Sequence, residues 1–192
     1  MKKRNFTLVE LLAVTALIVI LAGIGFAAFS YASNRGKEAA TKSLITRVGA
    51  GLESVRTKHG TFPAAAAYGD IVVTVNSSGL VTGITFGKTE ESTSGTALSA
   101  AQLKTFLTVC DGESLKKNLD GSSNITDSWG GKIKYCCPGK INTAKFDLVA
   151  PGPDEGFGKG STPAATPPDT LSGYKTEGTD AEWACDDIAN FN

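Results

Sequence analysis

The sequence predicts an α+β protein: a long N-terminal helix, with a membrane-spanning half and an amphipathic half, packed on a small antiparallel β-sheet head with a C-terminal loop. Three observations predict it. The apolar run from Phe6 to Phe29 holds a single charge, Glu10, and follows the basic Lys2-Lys3-Arg4. Apolar residues then recur at Ala39, Ala40, Leu44, Ile45, Val48, Leu52 and Val55, the spacing of one helix face. Short β-branched and aromatic runs between Gly-, Ser- and Asn-rich turns fill much of the rest.

The first run, residues 6–30, is long enough for a membrane helix, which takes about 20 apolar residues. Its basic flank places the start on the cytoplasmic side and the remainder outside. Glu10 is expensive there, because a carboxylate in a membrane helix costs roughly 2.5 to 3.5 kcal/mol and usually faces a protein partner. A plain signal anchor leaves that cost uncompensated. An ordinary secretory signal shares the basic start, but its apolar core is shorter. Here the run flows without a turn signal into the amphipathic stretch 31–58. Gly23, Gly25 and Gly49 each weaken the helix by up to about 1 kcal/mol relative to Ala.

Gly60 stops this helix and Pro63 lies beyond it. His59, the only histidine, is read as an exposed helix-end residue, since no nucleophile motif accompanies it. Ile71–Val75 and Leu80–Phe86 flank Asn76-Ser77-Ser78-Gly79 and predict a β-hairpin. Residues 88–97 read as a surface loop. Ser99, with Gln102 three positions on, caps a short helix carrying Leu103, Phe106 and Leu107. Asp120–Asp127 reads as an exposed polar connection, followed by a turn at Asp127-Ser128-Trp129-Gly130 with Trp129 as a core anchor. Two short antiparallel strands follow, around Lys132–Tyr135 and Phe146–Val149.

The 192 residues balance 19 Lys and Arg against 19 Asp and Glu. A neutral chain argues against nucleic acid as the main partner, which usually demands a basic patch. Beyond the anchor there is enough chain for one modest head, residues 59–192. Cys110, Cys136, Cys137 and Cys185 form an even set, so an exported head is expected to form disulfides, although four cysteines allow three pairings. Adjacent Cys136 and Cys137 point to opposite faces of a strand and are expected to bond different partners. Zinc is disfavoured by the absence of any Cys-x-x-Cys pair.

Lys2-Lys3-Arg4-Asn5-Phe6-Thr7-Leu8-Val9-Glu10-Leu11-Leu12 resembles the class III signal of type IV pilins and pseudopilins. The resemblance implies a leader at residues 1–5, cut by a prepilin peptidase between Asn5 and Phe6, with methylation of the new Phe6 amine. It also implies that Glu10 pairs with the Phe6 amine of a neighbouring subunit. Asn5 departs from the glycine usual before the cut.

The Asp127-Ser128-Trp129-Gly130 turn, its two strands and the loop Pro151-Gly152-Pro153-Asp154-Glu155-Gly156-Phe157-Gly158 resemble the head of the major pseudopilin of type II secretion systems. Ser128 stands where the family usually has Pro. Residues 71–86 and 159–184 look like additions to that pattern. In the family the acidic loop wraps calcium, which implies Asp154, Asp186 and Asp187 as carboxylate ligands, helped by carbonyls near Ala150 and Ile188. A solvated loop pinned by a Cys185 disulfide is the alternative. No other cofactor is expected.

The resemblance implies a structural subunit of a secretion pseudopilus, with no enzymatic activity. Expected partners are further copies in a homo-oligomeric filament, minor pseudopilins and an inner-membrane assembly platform. The expected location is the inner membrane, single-pass, with a cytoplasmic N-terminus and a periplasmic head. A type IV pilus subunit for adhesion, motility or DNA uptake is the nearest alternative. An anchored module binding sugars through Trp129, Tyr135, Trp183 and Phe191 is another. A hydrolase is disfavoured, since Gly-x-Ser-x-Gly and His-Glu-x-x-His motifs are both absent.

Overall fold

A computed structural model describes residues 8–89, 95–158, 164–170 and 188–191, with 24–28 as backbone only. The chain divides into two compact units, Met1–Lys37 and Glu38–Asn192. Helix α1, Leu8–His59, supplies the described part of the first unit and the opening of the second. It contains no proline and ends where Gly60 takes φ of 84°, its N–H donating to the Arg56 carbonyl at 2.7 Å. Glycine alone adopts that left-handed backbone without strain.

Among the described residues no helix is long and apolar enough to cross a membrane. The expected membrane-spanning segment 6–30, and with it the single-pass inner-membrane placement with cytoplasmic N-terminus and periplasmic head, is therefore corrected. The described apolar side chains run from Leu8 to Gly23 with Glu10 among them. From Ser30 the helix turns polar, through Ser33, Asn34, Arg35 and Lys37.

In the second unit, α1 packs on an antiparallel sheet of six strands. These are β1 Ala65–Val75, β2 Val81–Lys88, β3 Thr96–Ala97, β4 Lys134–Cys137, β5 Asp147–Ala150 and β6 Ile188–Ala189, in the order β3-β2-β1-β4-β5-β6. Between β3 and β4 lie α2, Ala100–Leu107, and α3, Gly112–Lys116. The α2 cap is the predicted one: Ser99 Oγ accepts from Gln102 N–H while Gln102 Oε1 accepts from Ser99 N–H. The sequence reading missed α3, which Asp111 caps by accepting from the N–H groups of Glu113 and Ser114.

The core lies between α1 and one sheet face. Leu44, Ile45, Val48, Leu52 and Val55 pack with Ile71, Val73, Ile84, Phe86, Phe106, Tyr135 and Leu148. Burying one such side chain stabilises by about 1.5 to 3 kcal/mol. Rings interlock at its centre, with Phe86 and Tyr135 centroids 4.9 Å apart. Ala39 and Ala40 are exposed, contrary to expectation, and the buried stripe begins at Thr41. Strands β1 and β2 approach so closely that a Cβ on Gly69 would stand 2.4 Å from the Gly87 carbonyl carbon.

Asp120–Asp127 is not the expected exposed connection. Asn124, Ile125, Thr126 and Asp127 are buried, because this segment bonds β1 directly. Ile125 N–H donates to the Ile71 carbonyl and Val73 N–H to that of Ser123, both at 2.9 Å. It fills the edge of β1 beyond Gly69 and Asp70, where β4 stops pairing. The expected loop 88–97 ends in β3, where Thr96 and Ala97 pair with Phe86 and Thr85. Trp129 is half-buried against the core rather than at its centre.

Candidate functional site

The N-terminal part of α1 is apolar and uncovered. From Leu8 to Leu21 every large hydrophobic side chain is at least half exposed, from 50 % at Val14 to 79 % at Leu8. Leu17, Ile18, Val19, Ile20 and Leu21 are consecutive and all exposed. Since a turn takes 3.6 residues, apolar surface surrounds the helix instead of forming one stripe. Glu10 stands exposed among these residues in the first described turn. Asn5 and Phe6, the expected processing site and Glu10 partner, lie outside the described residues.

In the second unit the Asp127 turn and the acidic loop meet at one carboxylate. Asp127, 4 % exposed, accepts at Oδ1 from the N–H groups of Trp129 and Gly131, each at 2.9 Å. Its Oδ2 accepts from Gly152 N–H at 3.0 Å. The turn before β4 is thus clipped to the loop leaving β5. A second buried carboxylate, Asp147, accepts from the Tyr68 hydroxyl and the Ile141 and Asn142 N–H groups, each at 2.9 Å. It holds the chain between β4 and β5. Sequence reading placed Asp127 only in a turn and gave Asp147 no role, since only tertiary structure brings in the donors from residues 152 and 68.

Asp154 is exposed and its Oδ1 accepts from Gly156 N–H at 3.0 Å. Asp186 and Asp187 lie outside the described residues. Among the described residues no group of three or more His, Cys, Asp or Glu side chains could hold a metal ion. Calcium takes six to eight oxygens, and the described carboxylates alone do not assemble such a set. Ala150 and Ile188, whose carbonyls were the expected supplements, are register partners in the β5–β6 ladder.

Cys110, Cys136 and Cys137 are free thiols, and Cys185 lies outside the described residues. As expected, Cys136 and Cys137 take opposite faces. Cys136 packs with Tyr68, Val149 and Phe157, whereas Cys137 packs against the main core. Burial pushes the thiols of Cys110 and Cys136 up to about 11 and raises that of Cys137. A protonated thiol is a poor nucleophile and metal ligand.

His59 is exposed at the end of α1, its Nε2 3.1 Å from Thr105 Oγ1. Of the aromatic residues considered for a sugar platform, Tyr135 is fully buried, with its hydroxyl donating to the Pro63 carbonyl at 2.7 Å. Trp129 and Phe191 are half-buried, and Trp183 lies outside the described residues.

Comparison with protein-family models, curated proteins and solved structures finds no match to this chain.

Proposed function

We propose that this chain is a structural subunit that assembles with copies of itself through the N-terminal part of α1. The observation that carries this reading is the uncovered apolar surface between Leu8 and Leu21. Contiguous exposed apolar surface on a soluble protein marks an interaction site. A helix apolar on every side is a buried helix, so several neighbours are needed to enclose it. Identical helices from surrounding copies supply that environment and leave the heads outside, which is the plan of a filament.

The N-terminal motif, from Lys2 to Leu12, favours a pilin-like filament, and the turn at Asp127 with the loop from Pro151 favours a secretion pseudopilus over a surface pilus. In this reading a prepilin peptidase cuts between Asn5 and Phe6, and Glu10 pairs with the Phe6 amine of the neighbouring copy. Minor pseudopilins and an assembly platform are the further partners. A carboxylate enclosed by apolar helices requires such a partner.

The test compares wild type with Ile18→Lys and Glu10→Ala, by electron microscopy and sedimentation of the purified chain with its leader removed. Wild type is expected to form filaments. Ile18→Lys is expected to remain unassembled with an unchanged head melting temperature, and Glu10→Ala to assemble poorly. A wild-type chain that stays monomeric at every concentration would sink the proposal, as would filaments that tolerate Ile18→Lys.

A further inference from the structure

Strand β6 is very short, and a side chain completes its hold on β5. Its ladder consists of Val149 opposite Ala189 and Ala150 opposite Ile188. One position on, Asn190 N–H donates to the Leu148 carbonyl at 3.1 Å. A regular strand would return its own carbonyl to the Leu148 N–H. Here Asn190 Oδ1 accepts that N–H at 2.7 Å, and Asn190 Nδ2 donates to the Phe146 carbonyl at 3.0 Å. The carboxamide therefore imitates one more residue of β-strand. Ile188 seats in the main core at 5 % exposure, and Ala189 and Phe191 cover the smaller cluster on the opposite face.

We propose that residues 188–191 are a releasable strap, latched by Asn190, that withholds the edge of β5 from β5 of a second copy. With the strap released, β5 presents unpaired N–H and C=O groups along Phe146 to Ala150, and an unpaired edge is a template for another strand. All four β5 residues are buried. The Asp147 carboxylate is occupied within the head by Tyr68, Ile141 and Asn142. No charged side chain of β5 is therefore left to repel a copy. Two β5 edges meeting antiparallel about a twofold axis are self-complementary. The strap stands independently of filament assembly by α1.

The test is site-resolved amide hydrogen exchange and sedimentation on the full chain carrying Ile18→Lys, which keeps helix-driven assembly out of the measurement. The N–H of Val73 in β1, bonded to the Ser123 carbonyl of the segment that fills the edge of that strand, reports the intact fold. Asn190→Ala is expected to speed exchange at Leu148 by roughly tenfold or more while Val73 stays protected, the effect of losing a hydrogen bond of ordinary strength. The same variant is expected to dimerise at concentrations where its parent is monomeric. Unchanged protection at Leu148 would overturn the latch, and faster exchange without dimerisation would overturn the guarding role. Should Asn190→Ala also lose Val73 protection, the parent chain decides. Leu148 exchanging faster than Val73 supports a separately opening strap, and equal rates, as in global unfolding, refute it.

Discussion

The Thr41 hydroxyl donates to the Ser128 hydroxyl at 3.1 Å, and the Ser128 main-chain N–H donates back to Thr41 Oγ1 at 3.2 Å. Thr41 is 1 % exposed, so this exchange ties α1 to the turn before β4 where water cannot substitute. Proline, which the resembled family has in place of Ser128, offers neither a hydroxyl nor an N–H. Thr41→Val is expected to cost about 1 to 2 kcal/mol of unfolding free energy. Ser128→Pro in the Thr41→Val background should cost much less than in wild type, as urea titrations of the four chains would show.

Asp127→Ala strands the N–H groups of Trp129, Gly131 and Gly152. Each buried donor left unsatisfied costs about 1 to 3 kcal/mol, so a loss of about 3 kcal/mol or more is expected in chemical denaturation. Asp127→Asn should fall between wild type and Ala, because one oxygen still serves Trp129 and Gly131 while its NH2 opposes Gly152.

Gly69→Ala drives a methyl group into the backbone of Gly87. A backbone obstacle cannot rotate away as a side chain can, so the change should reach or pass the upper end of the usual overpacking cost of about 1 to 3 kcal/mol. Gly36→Ala, where nothing lies within 4 Å, is the matching control and should leave the melting temperature unchanged or raised.

Burial moves the Cys110 and Cys136 thiols from their ordinary 9.0 to about 11. A folded state that holds the proton more tightly has its linked stability in full below about pH 9 and loses it as pH rises toward 11. The midpoint of unfolding should therefore fall across that window. Iodoacetamide at pH 8, followed by peptide mass spectrometry, should modify half-buried Cys137 before either buried thiol. Early modification of Cys136 would contradict its place in the outer cluster.

Much of the head was legible because local rules decided it. The Ser99–Gln102 cap, the Gly60 stop and the Asn76–Gly79 hairpin turn each depend on residues a few positions apart. Leu44 to Val55 were found from periodicity alone, but Ala39 and Ala40 share that period and remain exposed, since period gives the phase of a face without its end. Asp120–Asp127 was misjudged because its composition is that of a loop, while β1 has edge positions that needed bonding. The strap was out of reach, for it depends on a carboxamide behaving as backbone. The membrane span was read from the apolar run alone, and among the described residues no helix is long and apolar enough to make one.

Among the described residues the Asp127 carboxylate accepts from the main-chain N–H groups of Trp129, Gly131 and Gly152, so the clip reads where the chain runs and takes no account of the side chains it carries. Exposed Pro153, Asp154 and Glu155 lie just beyond Gly152. Exposed Pro153 can therefore change without disturbing the clip, whereas Asp154, whose Oδ1 accepts from Gly156 N–H, and Glu155, with φ of 60°, shape the loop themselves.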